Sequence, residues 1–185
     1  MAIITLRSQV RSLSLAQVKI KTKSFVNNLQ KYNWDCGVAA TAFLMENKGY
    51  NVSRRSLIKE LGASKDRGTD LVKIVEFFKK RPEFSAWAKD NWSFEELKKE
   101  LTKGKALMVA YQNWEKPKDV GEPDWGHYGV VLKIEGDRVS LFDPGSKTGH
   151  TELSKEEFEK RWHETDLGVY YFRWAMSVDL RGKKG

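Results

Sequence analysis

The stretch Gln30-Lys31-Tyr32-Asn33-Trp34-Asp35-Cys36-Gly37-Val38-Ala39-Ala40 holds the only cysteine of the chain. Small and apolar residues continue from it through Thr41, Ala42, Phe43, Leu44 and Met45. With no polar face and no break, this run reads as a buried helix starting at or just before Cys36. A thiol at that point meets the unpaired N–H groups and the positive dipole end of the helix, which favour thiolate over thiol.

Two β-type runs follow downstream, Asp124 to Ile134 and Arg138 to Pro144, joined by Glu135-Gly136-Asp137. This is a hairpin signature. A turn centred on Glu135 and Gly136 pairs residues whose numbers total 270 or 271, which sets His127 opposite Asp143. Cross-strand partners of that kind have Cβ atoms roughly 4.5 to 5.5 Å apart, so the carboxylate is expected to bind one ring nitrogen and orient the other. Helix-borne Cys36, strand-borne His127 and the orienting Asp143 together have the form of a nucleophile, base and orienter.

The pattern Gln30, Asp35-Cys36-Gly37-Val38-Ala39-Ala40, a helical middle, His127-Tyr128 on a strand and Asp143-Pro144 ending the next resembles the C39, bacteriocin-processing branch of the papain-like cysteine peptidases. The resemblance covers about Val18 to Gly145. It implies a papain-like fold, with Gln30 as an oxyanion-hole donor, Cys36 as nucleophile, His127 as base and Asp143 as its orienter. The best-known members of that family are fused to an exporter and cut double-glycine leaders. This sequence has no apolar run of the roughly 20 residues that span a bilayer. The resemblance therefore carries over the chemistry and leaves the substrate sequence open. A lone cysteine is by default a small buried hydrophobe, and the spacing of Gln30, His127 and Asp143 reverses that default here.

The remaining pattern supports one domain over residues 1–185, with 1–17 as an extra arm and 181–185 as a basic tail. Forty per cent of the residues are hydrophobic and 12% aromatic, enough for a real core. Helices are expected at Ser53 to Leu61, Asp70 to Arg81 and Ser93 to Thr102, the last with a Ser93/Glu96 capping box and a stop at Gly104. A strand follows at Ala106 to Gln112, a helix from Ser154 to about His163, and a strand at Val169 to Trp174. Helices come first and an antiparallel sheet second, which is an α+β order with the nucleophile helix packed on the sheet. The long loop 113–126 leads into His127, and Trp34, Gly37, Trp125 and Gly126 are the expected walls of a peptide cleft.

Charge is concentrated at the two ends. Residues 1–34 carry six bases and no acid, residues 181–185 carry three bases, and 24 bases face 25 acids between them. The alternating Val18-Lys19-Ile20-Lys21-Thr22-Lys23 reads as an edge strand with lysines in water, so no specific nucleic-acid partner is expected. One cysteine with His127, His150 and His163 scattered along the chain offers no zinc spacing, and no phosphate loop or dinucleotide fingerprint is present, so neither metal nor cofactor is expected. The single thiol suits a reducing compartment, and cytoplasmic residence is the expectation, although the acid-free first 15 residues weakly resemble a transit peptide. The functional expectation is a cysteine peptidase acting on a peptide or protein. Alternatives are an amidase or acyltransferase of the same fold, or an idle binding module that uses its basic ends.

Overall fold

The computed structural model describes residue 25, residues 27–114 and residues 126–182. The strand expected at Val18 to Lys23, Trp125, most of the 113–126 loop, the arm 1–17 and residues 183–185 of the basic tail lie outside those residues.

Helix α1 (Cys36–Asn47) is buried continuously from Cys36 to Met45. A helix that is apolar all round has to sit in the middle of a core, and α1 packs under strand β3. Ser53 caps α2 (Arg54–Leu61) by accepting the Ser56 N–H, and Asp70 caps α3 (Leu71–Lys79) by accepting the N–H groups of Val72 and Lys73. The third helix ends two residues before the expected Arg81. Strand β1 (Phe84–Lys89), which the sequence pattern did not signal, precedes α4 (Phe94–Thr102) with its Ser93/Glu96 capping box. Then come β2 (Ala106–Gln112), β3 (Gly126–Glu135), β4 (Arg138–Phe142), β5 (His150–Ser154), α5 (Lys155–Arg161), β6 (His163–Asp166), β7 (Val169–Phe172) and β8 (Ala175–Leu180).

Six strands form an antiparallel sheet in the order β1-β8-β2-β3-β4-β5, and β6 and β7 form a separate ribbon. Because successive side chains leave opposite faces of a strand, β2 feeds two cores. Met108 and Ala110 join the cluster under α1, α2 and α3, whereas Leu107, Val109 and Tyr111 join the cluster that contains Phe94 and Leu97 of α4 and Phe158 of α5. The sheet is thus covered on both faces, which is an α+β architecture with the cysteine helix laid across the central strands.

Three expectations need correction. The helix from Ser154 ends at Arg161, and His163 opens β6. The strand expected over Val169 to Trp174 stops at Phe172, because Arg173 takes φ 51° and turns the chain into β8. In the central hairpin, Glu135 pairs with Arg138, so the turn is Gly136-Asp137, with Gly136 at φ 57°. A bulge between Val131 and Lys133 then moves the register again, to Val131↔Leu141 and Val130↔Phe142. Continued outward, that register sets Gly145 against His127, and Asp143 becomes a diagonal neighbour of His127 on the same face.

One aromatic contact ties the two halves of the site together. Phe43 of α1 stacks on Phe142 of β4 with centroids 3.9 Å apart, and Phe142 directly precedes Asp143. Both rings are buried. Phe43→Ala is expected to lower stability by about 3–5 kcal/mol, since it removes a fully packed ring and leaves a cavity. Urea unfolding would show this as a lower midpoint at unchanged slope.

Candidate active site

Cys36 is the first residue of α1 and is buried, 7% exposed. Asp35 stands at the N-cap position, yet its side chain makes no cap bond. Its Oδ1 instead accepts the N–H groups of Lys31 and Tyr32 at 3.0 and 3.1 Å, and Oδ2 receives Arg54 Nη1 at 2.6 Å. Arg54 Nη2 donates to the Leu29 carbonyl at 2.5 Å. This ion pair, with Asp35 wholly buried, ties down the segment between Gln30 and Cys36. The Gln30 N–H donates to the Pro144 carbonyl at 2.9 Å, so the same segment is held against the loop that carries Asp143. Gln30 Oε1 is buried with no partner.

His127 and Asp143 meet through Nε2 and Oδ1 at 2.8 Å, both residues buried. Asp143 Oδ1 also accepts the Gly145 N–H at 2.9 Å, and Oδ2 accepts the Thr151 hydroxyl at 2.7 Å. Three donors and no competing acceptor suit a carboxylate: burial raises its pKa, but the His127 contact, Thr151 and Gly145 hold it at about 2. Nε2 faces Asp143, which leaves Nδ1 as the ring nitrogen for the Cys36 thiol. Burial disfavours the imidazolium, but the charge of Cys36, hydrogen bonds to Asp143 and Cys36, and the charge of Asp143 push His127 up to about 10. Tyr111 packs its ring edge-on against the imidazole at 5.5 Å and 79°.

A cleft of about 170 Å³ opens beside Cys36, lined by Trp34, Thr69, Gly126, Tyr128, Glu164 and Asp166 among others. Trp34 stacks on the exposed Tyr32 at 5.0 Å. Tyr128 Oη donates to the Thr69 carbonyl at 2.6 Å and fixes one wall. Gly37 lies behind that wall, where any Cβ would come within 2.7 Å of Thr69 Cβ. Gly126 roofs Glu164, whose carboxylate lies 2.2 Å from the place a Cβ would occupy. Trp125 is outside the described residues.

The structure therefore brings Cys36, His127 and Asp143 together and holds Gln30 beside them. Sequence reasoning missed Arg54, Thr151, Thr69, Glu164 and Asp166. Asp35 stood in the quoted motif, but its partner lies 19 residues away on another helix, and no periodicity reports that pairing. Arg54→Met leaves the buried Asp35 carboxylate without its cation. We expect a loss of about 3 kcal/mol in urea unfolding, because removing one partner strands the other in a dry site.

A buried thiol at a helix start and, beside it, an imidazole hydrogen-bonded to a carboxylate, on a helix laid across an antiparallel sheet, form the arrangement of a papain-like cysteine peptidase fold. The model of the Peptidase C39 family matches residues 24–169, and the chain belongs to that family. The lactococcin-G-processing and transport ATP-binding protein LagD of Lactococcus lactis subsp. lactis is 27% identical over 132 residues, covering 69% of this chain and 16% of that protein. This chain thus spans only about a sixth of the length of that relative. The peptidase domain of Streptococcus ComA, a bifunctional ABC transporter involved in a quorum-sensing pathway, superposes with TM-score 0.60 at 23% identity, over 82% of this chain and 94% of that one. A putative C39-like peptidase from Bacillus anthracis superposes with TM-score 0.65 at 18% identity, over 90% and 97%. No helix among the described residues is long and apolar enough to cross a membrane.

Proposed function

We propose that this cysteine peptidase cleaves a peptide bond with Cys36 as nucleophile, His127 as general base and acid, and Asp143 as the group that orients and charges the imidazole. The observation that carries this reading is the 2.8 Å contact of His127 Nε2 with Asp143 Oδ1, which turns the other ring nitrogen to the only thiol. His127 takes the thiol proton, and the thiolate attacks the carbonyl carbon of the scissile amide. Gln30 and the Cys36 N–H supply the hydrogen bonds for the oxyanion. His127 returns the proton to the leaving amine, and water then releases the acyl-enzyme. The substrate is a peptide lying between Trp34 and Gly126, along the cleft that opens at Cys36. Processing of a peptide is also what the name of the Lactococcus lactis relative describes.

The pH dependence of Cys36 alkylation by iodoacetamide, read by intact mass, tests the pair at the centre of this reading. Wild type should alkylate rapidly well below pH 8, and His127→Ala should lose that low-pH reactivity. An ordinary thiol profile, the same in both proteins, would leave Cys36 a structural residue and remove the reading.

A further inference from the structure

The peptide unit between Leu29 and Gln30 is bonded at both ends. Its carbonyl receives Arg54 Nη2 at 2.5 Å, and its N–H donates to the Pro144 carbonyl at 2.9 Å. The buried Gln30 Oε1 has no partner among the described residues, so the placement of the side-chain amide falls on its backbone. Neighbouring bonds extend the grip. Asn28 Nδ2 donates to Glu46 Oε2 of α1 at 2.8 Å, and Asp35 Oδ1 gathers the N–H groups of Lys31 and Tyr32. Arg54 joins the two ends of this stretch. One guanidinium nitrogen is on the carbonyl before Gln30, and the other, at 2.6 Å, is on the Asp35 carboxylate before Cys36. A single planar group is therefore bonded to the residue preceding each of the two proposed oxyanion donors, the Gln30 amide and the Cys36 N–H.

Helix stability does not account for an arginine at this position. Arg54 is the first residue of α2, where the helix dipole favours an acid, yet the first turn holds Arg54 and Arg55 and no acid. The side chain of Arg54 is 16% exposed and that of Asp35 0%, so the pair is little screened by solvent. A guanidinium holds two acceptors in one fixed plane, whereas an ammonium is a point charge on a flexible stem.

We infer that Arg54 is a positioning residue for the oxyanion hole, holding the Leu29–Gln30 peptide so that the Gln30 amide meets the carbonyl oxygen of the scissile bond. The inference rests on the peptidase reading, in which Gln30 is an oxyanion donor. In this role Arg54 acts through Gln30 and not through the thiol.

The test compares two reagents on the one thiol of the chain. With p-nitrophenyl acetate the thiolate sulfur bonds to the carbonyl carbon, an oxyanion forms, and p-nitrophenolate leaves as the carbonyl reforms. Iodoacetamide alkylates by direct displacement of iodide and develops no oxyanion. Acylation is read as the p-nitrophenolate burst, with the Cys36→Ala background subtracted, and alkylation by intact mass. Both are run at about pH 6, where an unfolded thiol with its pKa of about 8.5 hardly reacts, so the ratio of the two rates reports folded protein.

Arg54→Lys keeps a cation for Asp35 and gives up the fork that reaches Leu29. Its ester-to-iodoacetamide ratio should fall by about 10- to 10²-fold, the scale of a misplaced catalytic group, with the iodoacetamide rate near that of wild type. Gln30→Ala should lower the ratio at least as far. Adding Arg54→Lys to it should lower the ratio little further, because residues that act as one unit are not additive. A ratio unchanged in Arg54→Lys, or a further fall of the same size in the Gln30→Ala background, overturns the positioning role. A ratio unmoved by Gln30→Ala overturns it too and takes Gln30 out of the oxyanion hole, while Cys36 and His127 keep their roles. Slow alkylation of wild type at the same pH removes the peptidase reading, and the inference with it.

Discussion

Cys36→Ala is expected to lower kcat/KM for peptide cleavage by about 10⁴-fold or more, the scale seen when the nucleophile of a catalytic triad is removed. The fold should survive the change. Alanine is a strong helix former, and the site is packed from Val38 onward by side chains that the substitution does not touch. A second readout separates loss of the nucleophile from a general disturbance. The charge of Cys36 helps hold His127 near 10, so the imidazole in the variant should titrate at a lower pH than in wild type, followed by ¹⁵N NMR of the ring. With the charge of Asp143 still in place, the midpoint should remain above the one seen when Asp143 is also neutralised. Cleavage at the wild-type rate by the alanine variant would remove Cys36 from the mechanism.

The next largest effect is expected at Asp143. The Asp143→Ala change strips His127 Nε2 of its 2.8 Å partner and leaves the Thr151 hydroxyl and Gly145 N–H without an acceptor, so kcat should fall by about 10³- to 10⁴-fold. Asp143→Asn keeps an amide oxygen for His127 and loses the charge, so its loss should be smaller, and this split distinguishes orientation from electrostatics. The pH dependence follows from the direction of each shift. Asp143 is held at about 2, below its ordinary 3.8, so its ionised form stabilises the fold above about pH 4, and that contribution fades as pH falls toward 2. His127 is raised from 6.5 to about 10, so its protonated form stabilises the fold below about pH 6.5, and that contribution is lost as pH rises through 10. In Asp143→Asn the acid-side loss should flatten, and the alkaline-side loss should begin at lower pH. Urea midpoints measured from pH 3 to 10.5 would show both. An unchanged profile would mean that the His127–Asp143 contact contributes nothing to the titration of the folded state.

How far the site could be read in advance is clearest in the hairpin. The expected turn was one residue early and the bulge at Leu132 was not foreseen, yet His127 and Asp143 still meet. The pairing that opposed His127 to Asp143 totals 270 and the register beyond the bulge totals 272, so the net slip is two residues, and side chains alternate with period two. An odd slip would have sent one of them to the other face of the sheet. The contact is a diagonal one, and it closes because an imidazole and a carboxylate extend far enough to bridge that spacing. Strand β8 was missed for a different reason. Arg173 at φ 51° divides what reads as one apolar run into two strands of two different sheets, and an arginine gives no local signal for a left-handed conformation. Strand β1 is held by pairing with β8, 86 or more residues away, which no local pattern can report.

By itself the sequence determined the buried helix that opens on Cys36, through an unbroken small and apolar run. It determined the capped helices, through Ser53, Asp70 and Ser93, and the face shared by His127 and Asp143, through alternation. These features depend on chemistry within a few residues or on the parity of a strand. Only the tertiary structure decided the rest: the Asp35–Arg54 clamp on the segment before the thiol, the fixing of Gln30 to Pro144, and the Glu164 carboxyl beneath Gly126. Each of those joins groups that are far apart in the chain, and each is set by the packing of α1, α2 and the β6–β7 ribbon around the central sheet. Burial and partner geometry, which decide the charge states in the cleft, exist only after that packing is complete.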